Sequence, residues 1–203
     1  CYFLRLLSHG LCLFVLLLLL SKTILNAQIM ISGSAIITSC NGDIKISNND
    51  GDSIKSKLHT VLLPNGLNFK TGTKSKLFMT LSNGVALGID SETNVQCTEY
   101  MQLPFNMEEQ SRRIEASVSR LHLTYETGLL AIAGNYLSPL SVIKIDLPDG
   151  ELRLYKGSCL IEKNDSELRI TATEGTLTYY YAGSNDREYI TAPESLRIVA
   201  ARK

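Results

Sequence analysis

The sequence predicts an all-β single domain of short antiparallel strands with at most one short helix, and three observations carry that reading. From residue 29 onward, β-branched and aromatic residues alternate with polar ones. Turn dipeptides recur between the apolar segments: Asn41-Gly42, Asn65-Gly66, Asn83-Gly84 and Asp149-Gly150. Outside residues 106–120 no segment is long and periodic enough for a helix. A sandwich and a β-solenoid-like stack both suit this pattern.

The amino-terminal residues differ in kind from the rest. Arg5 supplies a basic start, Leu11 to Leu20 is an unbroken apolar run, and Ser21, Lys22, Asn26 and Ala27 return to polar or small types. That is the layout of a secretory signal peptide. A spanning helix needs about 20 apolar residues, and this run is half as long. An uncleaved signal anchor is the competing reading, because Leu25, not a small residue, stands third before a cut after Ala27. The chain starts at Cys1, and further residues upstream would strengthen the anchor reading. The expected organisation is a signal peptide at 1–27 and one β-rich domain at 28–203, periplasmic or secreted. Contact with a membrane is expected only if the amino-terminal segment is uncleaved.

A domain of that length buries about 70% of its unfolded surface, enough for a core without covalent staples. The chain carries 20 basic and 20 acidic residues, mixed along its length. With no run of like charge, neither nucleic acid nor an anionic membrane is an expected partner.

Taken in order, strands are expected at Asp43 to Ser47, Leu77 to Leu81, Val85 to Ile89, Leu121 to Tyr125, Leu129 to Ala133 and Ser141 to Leu147. Further strands follow at Glu151 to Tyr155, Cys159 to Glu162, Leu168 to Ala172, Thr176 to Tyr181, Arg187 to Thr191 and Leu196 to Val199. The Asn-Gly and Asp-Gly pairs favour positive φ at both central turn positions, the signature of type I′ hairpins or closely related loops. The hairpin around Ser82-Asn83-Gly84 is the clearest. Between Asn106 and Arg120 the pattern loosens, and a short helix around Met107-Glu108-Glu109-Gln110 competes with a sheet bend. Segments around Gly72 to Ile89, Gly128 to Leu147 and Gly157 to Ile170 each open with a Gly-containing turn and continue as alternating strands.

The candidate chemistry is sparse. Cys40, Cys97 and Cys159 are too scattered for a disulfide framework or a metal motif and read as small hydrophobes, with one disulfide as the alternative. His59 and His122 stand in strand-like stretches with no second ligand two or four residues on, so no metal site is expected. Gly33-Ser34 and Gly157-Ser158-Cys159 lack the strand-to-helix context of a nucleophile elbow. Pairing Cys159 with His122 as nucleophile and base has no local support. Asn48-Asn49-Asp50-Gly51-Asp52 resembles the start of a calcium loop but lacks its Gly at position six and closing Glu. Glycines occur singly, so no phosphate-binding loop is present. These features predict no catalytic, cofactor-binding or metal residues and no small-molecule cofactor. The one concentrated aromatic patch is Tyr179-Tyr180-Tyr181, where Tyr179 and Tyr181 share a strand face. Core packing with the phenol tips at the rim competes there with a peptide- or glycan-binding face.

At Phe69-Lys70-Thr71-Gly72-Thr73-Lys74-Ser75-Lys76-Leu77, followed by the Asn83-Gly84 hairpin and Leu87-Gly88-Ile89-Asp90, the sequence resembles the FecR-type domain. Gly42-Asp43-Ile44-Lys45-Ile46 is similar to that family's opening strand, and Tyr155-Lys156-Gly157-Ser158 to its closing turn. The resemblance implies an extracytoplasmic β-rich module. In the best-known members such a module relays a signal from an outer-membrane receptor to a cytoplasmic anti-sigma segment across one membrane helix. No such cytoplasmic segment stands in this sequence, which turns the expectation toward the stand-alone exported form. The expected function is thus a non-catalytic protein-binding or scaffolding module of the bacterial cell envelope, with another envelope protein as partner. The alternatives are the extracytoplasmic sensor part of a membrane-anchored anti-sigma regulator and a glycan-binding β-sandwich.

Overall fold

In the structure, a computed structural model, residues 29–104 and 118–199 are described. Their elements are all strands: β1 (Ile31–Ser32), β2 (Ala35–Asn41), β3 (Ile44–Ser47), β4 (Ser53–Ile54), β5 (Val61–Leu62), β6 (Leu67–Thr71), β7 (Lys76–Leu81) and β8 (Ala86–Ile89). They continue with β9 (Asn94–Gln102), β10 (Ser119–Gly134), β11 (Val142–Leu147), β12 (Gly150–Lys163), β13 (Glu167–Tyr181), β14 (Arg187–Thr191) and β15 (Ser195–Val199). Hydrogen bonds join them into one network that does not close on itself.

The pairings resolve into two half-sheets that share three long strands. The first runs β4, β3, β6, β9, the opening part of β10, then β11, the opening part of β12, the closing part of β13 and β14. β1 adds to the far end of β9. The second runs β5, β2, β7, β8, the closing parts of β10 and β12, the opening part of β13 and β15. Every pairing is antiparallel except β10 with β11, which is parallel over Arg120 to Thr124. That ladder pattern fits the sandwich expectation and not a solenoid, whose rungs pair in parallel.

Glycine makes the shared strands possible. β10 changes partners beside Gly128, β12 between Leu154 and Gly157, and β13 at Gly175. A bulge inserts an extra residue, bends the strand and increases its twist, which lets one strand serve two sheets. At Gly157 φ is +130°, and an added Cβ would stand 2.1 Å from the carbonyl oxygen of Glu174. Gly175 faces it with φ +77° and a Cβ position 2.5 Å from the Lys156 oxygen. No other residue fits either position without moving the neighbouring strand.

This corrects the expected turns at Gly128 and Gly157, and with them the expectation that all strands are short. The pairs of segments predicted at 121–125 and 129–133, at 151–155 and 159–162, and at 168–172 and 176–181 are single strands of 16, 14 and 15 residues. Turn type also departs from expectation. In the Asn-Gly pairs only the glycine is left-handed, at φ +86° for Gly42, +74° for Gly66 and +85° for Gly84, whereas type I′ requires it of both residues. At the β7–β8 hairpin, Gly84 N–H bonds Leu81 O at 2.9 Å and Leu81 N–H bonds Val85 O at 2.8 Å. That is the three-residue loop, a turn closed by a left-handed glycine. The expected signal peptide at 1–27 and the helix or bend around Met107 to Gln110 lie outside the described residues.

Alternation builds the core. In β7, Leu77, Met79 and Leu81 point inward while Lys76 and Phe78 point out. The inward residues of both half-sheets, among them Ile37, Leu77, Ile132 and Ile161 from one and Ile46, Leu121, Ile145 and Leu177 from the other, form one buried cluster. Each such side chain contributes about 1.5–3 kcal/mol on burial.

Candidate functional site

The aromatic pair singled out in the sequence is not an open face. Tyr179 is fully buried, its ring edge-on to Tyr181 with centroids 5.0 Å apart, and its phenol packs against Gly150, where an added Cβ would lie 2.5 Å from the hydroxyl. Among the described residues the Tyr179 hydroxyl has no hydrogen-bond partner. Burial, then the nearby Asp149 and Tyr181, push its pKa up to about 12. Tyr181 is half-buried and donates to Glu188 at 2.6 Å. Tyr180, on the opposite face, lies under the Arg153 guanidinium at 4.6 Å. The core-packing alternative therefore describes Tyr179, whose burial takes it out of the expected binding face, while Tyr181 stays partly exposed at the rim.

Cys40, Cys97 and Cys159 are all free thiols. Cys97 and Cys159 are buried, and burial pushes both pKa values up to about 12, which leaves a protonated, unreactive sulfur. His59 sits in a turn with φ +64°, not in a strand. His122 does have a partner: its Nε2 lies 2.7 Å from Asp146 on the neighbouring strand. That contact opens a cross-strand ladder in which Lys144 bridges Asp146 at 3.3 Å and Glu151 at 2.8 Å, and Arg153 closes on Glu151. Burial opposes ionisation of Glu151, but hydrogen bonds from Lys144 and Arg153 outweigh it and lower its pKa. The calcium-like loop uses its own oxygens: Asn48 Oδ1 accepts from the Asp50 and Asp52 amides at 3.0 and 2.8 Å. Among the described residues no three His, Cys, Asp or Glu side chains converge.

Thr71 and Ser75, from the stretch carrying the family resemblance, join Thr93 in a sealed corner. Thr71, Ser75 and Thr93 are 2%, 0% and 0% exposed. Thr71 Oγ1 donates to Asp90 O and accepts from Thr93 N–H at 3.0 Å. Ser75 Oγ accepts from Asp43 N–H at 2.8 Å and donates to Thr73 O at 3.2 Å. Thr93 Oγ1 accepts from Leu129 N–H at 2.9 Å, tying the β8–β9 connection to β10. Each hydroxyl completes backbone pairing where strands turn, so the motif is architectural.

Two open features lie elsewhere, on the outer face of the second half-sheet. Val61, Ile36, Thr80, Ala86, Ala133, Ser158 and Glu174 stand directly opposite one another across seven strands. At about 4.8 Å per strand this row spans about 29 Å. The row between Val61 and Ser158 carries no charge. One end is apolar: Leu58, Val61 and Leu63 are 54%, 66% and 66% exposed, and β5 is the terminal strand, paired with β2 alone among the described residues.

The other end is a groove of about 670 Å³ between the β10–β11 connection and the opposed bulges of β12 and β13. Its walls carry Tyr136 and Tyr155, 65% and 43% exposed. Polar groups stand beside them already ordered: Asn135 Nδ2 donates to Glu174 Oε2, and Ser158 Oγ donates to Asn135 Oδ1 at 3.2 Å. Lys156, Leu137 and Pro139 complete the lining. A smaller polar pocket of about 260 Å³, lined by Asn49, Asn68, Asn94, Gln96 and Glu126, opens on the first half-sheet. Neither open feature was named by sequence reasoning. Tyr136 and Tyr155 are isolated in the chain, and the signal that points to the groove is the Gly157 bulge beside Tyr155.

No family model matches the sequence, and no curated protein matches it. Among solved structures, the chain is similar to one described as a "putative anti-sigma factor" from Parabacteroides distasonis, with 10% identity and a TM-score of 0.46 over 65% of this chain and 54% of that one. A second structure with the same description gives 9% identity and a TM-score of 0.43 over the same shares. The chain thus spans about half the length of these structures.

Proposed function

We propose that this protein is a non-catalytic, exported module of FecR type that binds another protein of the bacterial cell envelope through the apolar edge at β2 and β5. The observation that carries the reading is the exposure of Val61 on the terminal strand β5 and of Leu58 and Leu63 beside it, with no strand on its outer side among the described residues. Edge strands of soluble proteins are ordinarily blunted by charge, proline or a covering element. β5 is two residues long with Pro64 just beyond it, yet its exposed side chains are apolar, and an extended segment of a partner adds backbone hydrogen bonds there while seating alternate side chains beside Val61 and Ile36. The non-catalytic half of the proposal is supported by the protonated thiols of Cys97 and Cys159 and by the engagement of the buried hydroxyls in backbone pairing. Export is supported by the apolar run Leu11 to Leu20.

A photo-crosslinker at Leu63, activated in cells of the native host, tests the partner. A discrete adduct with an envelope protein that Val61→Lys removes is the expected result. No adduct, or adducts insensitive to Val61→Lys, would overturn it. Mass spectrometry of the mature amino terminus separates the stand-alone module, which starts at Gln28, from the sensor part of a membrane-anchored anti-sigma regulator, which keeps an intact membrane-retained segment.

A further inference from the structure

We infer that the groove between Tyr136 and Tyr155 is a binding site for a neutral saccharide. The chemistry on its walls matches that ligand. Sugar rings present C–H faces that stack on exposed aromatic rings, and Tyr136 and Tyr155 supply two such rings at the mouth of one groove. Vicinal hydroxyls are met by planar groups that offer paired donors and acceptors, and Asn135 and Glu174 are planar groups held beside the stacking surface. Their mutual hydrogen bond and the one from Ser158 fix their orientation before any ligand arrives, which reduces the ordering cost of binding. One cation, Lys156, and one anion, Glu174, line the groove, so its formal charge is zero, which suits a neutral ligand. A volume of about 670 Å³ lies in the range of small-ligand sites.

The same geometry disfavours a peptide there. Outside the Tyr155-Lys156 bulge, the strands of the groove floor are paired on both sides: β12 lies between β10 and β13, and the outer side of β13 is taken by β15 and β14. The passage between those two ladders is also filled, since Ala172 N–H bonds Glu194 O at 3.0 Å and Ala192 N–H bonds Gly175 O at 2.9 Å. Tyr155 and Lys156, at the β12 bulge, stand outside these ladders, and the bulge bends them out of the extended register an added strand needs. Saccharide recognition instead uses side chains above an intact sheet. The Gly157 and Gly175 bulges serve the site by raising the Tyr155-Lys156 segment of β12 against Glu174 and setting one wall.

The site stands about 29 Å from Val61 along the cross-strand row, so the two surfaces can be tested separately. The experiment is titration calorimetry of residues 28–203 against neutral oligosaccharides built from glucose, mannose, xylose and N-acetylglucosamine, with polygalacturonate and a random peptide library as comparison arms. The expected result is binding of at least one neutral oligosaccharide with a dissociation constant under about 1 mM, weakened at least about tenfold by Tyr136→Ala and by Tyr155→Ala. Glu174→Gln should weaken it less, and Val61→Lys should leave it unchanged, which keeps failure of this inference distinct from failure at the edge. Far-ultraviolet circular dichroism and the thermal unfolding midpoint of each variant should match the parent. No neutral saccharide bound with a dissociation constant under about 1 mM, binding indifferent to both tyrosine substitutions, or occupancy of the groove by peptide or polyanion would each overturn the inference.

Discussion

The corner around Thr71 and Thr93 and the groove between Tyr136 and Tyr155 are built from the same kinds of side chain, yet one is sealed and the other open. In the corner, Thr71, Ser75 and Thr93 spend their hydrogen bonds on strand backbones, and nothing is left to offer a ligand. In the groove, Asn135, Ser158 and Glu174 bond chiefly to one another beside exposed rings, and each keeps unused capacity toward solvent. The difference teaches where sequence signal concentrates. A buried hydroxyl must satisfy particular backbone groups, so the corner needs fixed residues at fixed spacing and reads as a motif. An open groove needs only suitable chemistry at its rim, supplied here by residues from three separated stretches of chain.

The largest effect is expected where the two logics meet, at the bulge beneath the groove. Gly157→Ala forces a Cβ within van der Waals contact of the Glu174 carbonyl in a backbone conformation that L-residues avoid. Strain and displacement together should cost roughly 2–4 kcal/mol in urea unfolding. Gly84→Ala is the control, since Gly84 also has a positive φ, +85° against +130° at Gly157, but nothing within 4 Å of an added Cβ. It should cost only about 1–2 kcal/mol, the conformational part alone. Equal costs at the two positions would show that the opposed bulges do not fix the wall.

Next in size is the corner itself. Thr71→Val keeps shape but removes the acceptor for Thr93 N–H and the donor to Asp90 O. Orphaning buried backbone groups costs about 1–3 kcal/mol, and Thr71→Ser should recover most of it. The counterpart in the groove, Asn135→Ala, should change stability by under about 0.5 kcal/mol, because its partners remain in contact with water. A stability loss at Asn135 equal to that at Thr71 would erase the distinction between architectural and open polar clusters.

These expectations bear on what was legible in the residues alone. The all-β class and twelve strand segments were readable because alternation at period two survives in almost every strand; β7 and β11 alternate at every position. The shared strands were not. Gly128, Gly157 and Gly175 look identical to turn glycines in sequence, and only the partner strand, far away in the chain, decides that the backbone bulges onward instead of reversing. The short edge strands β1, β4 and β5, two residues each, fall below any periodic signal. At the site, the run Tyr179 to Tyr181 drew attention by local density, although its alternation already placed Tyr179 opposite Tyr180. Which face is buried depends on Leu152 and Leu177, packed into the core beside it.

A smaller effect separates surface charge from both polar clusters. Asp90 has its pKa lowered by the Ser91 amide, against burial and aided by Lys76, and Glu151 by Lys144 and Arg153 against burial. Carboxyls more acidic in the folded chain than in the unfolded one stabilise it fully above the ordinary carboxyl range. That contribution is lost as pH falls below about 4 and through the folded values. Unfolding midpoints should therefore drop between about pH 5 and pH 3, and Glu151→Gln should flatten part of the drop. At neutral pH the same substitution should cost no more than about 1 kcal/mol, as for other half-exposed pairs. A midpoint that rises on acidification would contradict the sign.

The smallest effect is expected at Tyr179, and it carries the most information about the aromatic run. Its hydroxyl is buried without a partner among the described residues, so deleting the oxygen removes a desolvated group and breaks no bond. Tyr179→Phe should leave stability unchanged or raise it by up to about 1 kcal/mol, with saccharide titrations matching the parent. Tyr155→Ala should give the reverse pattern, little change in stability and loss of binding. A loss above about 1 kcal/mol in Tyr179→Phe would reveal a bridging water or ion at the phenol. The Tyr179 oxygen, packed over Gly150 at the start of β12, would then join the sealed polar corner as a second node tying strand geometry to hydrogen bonding.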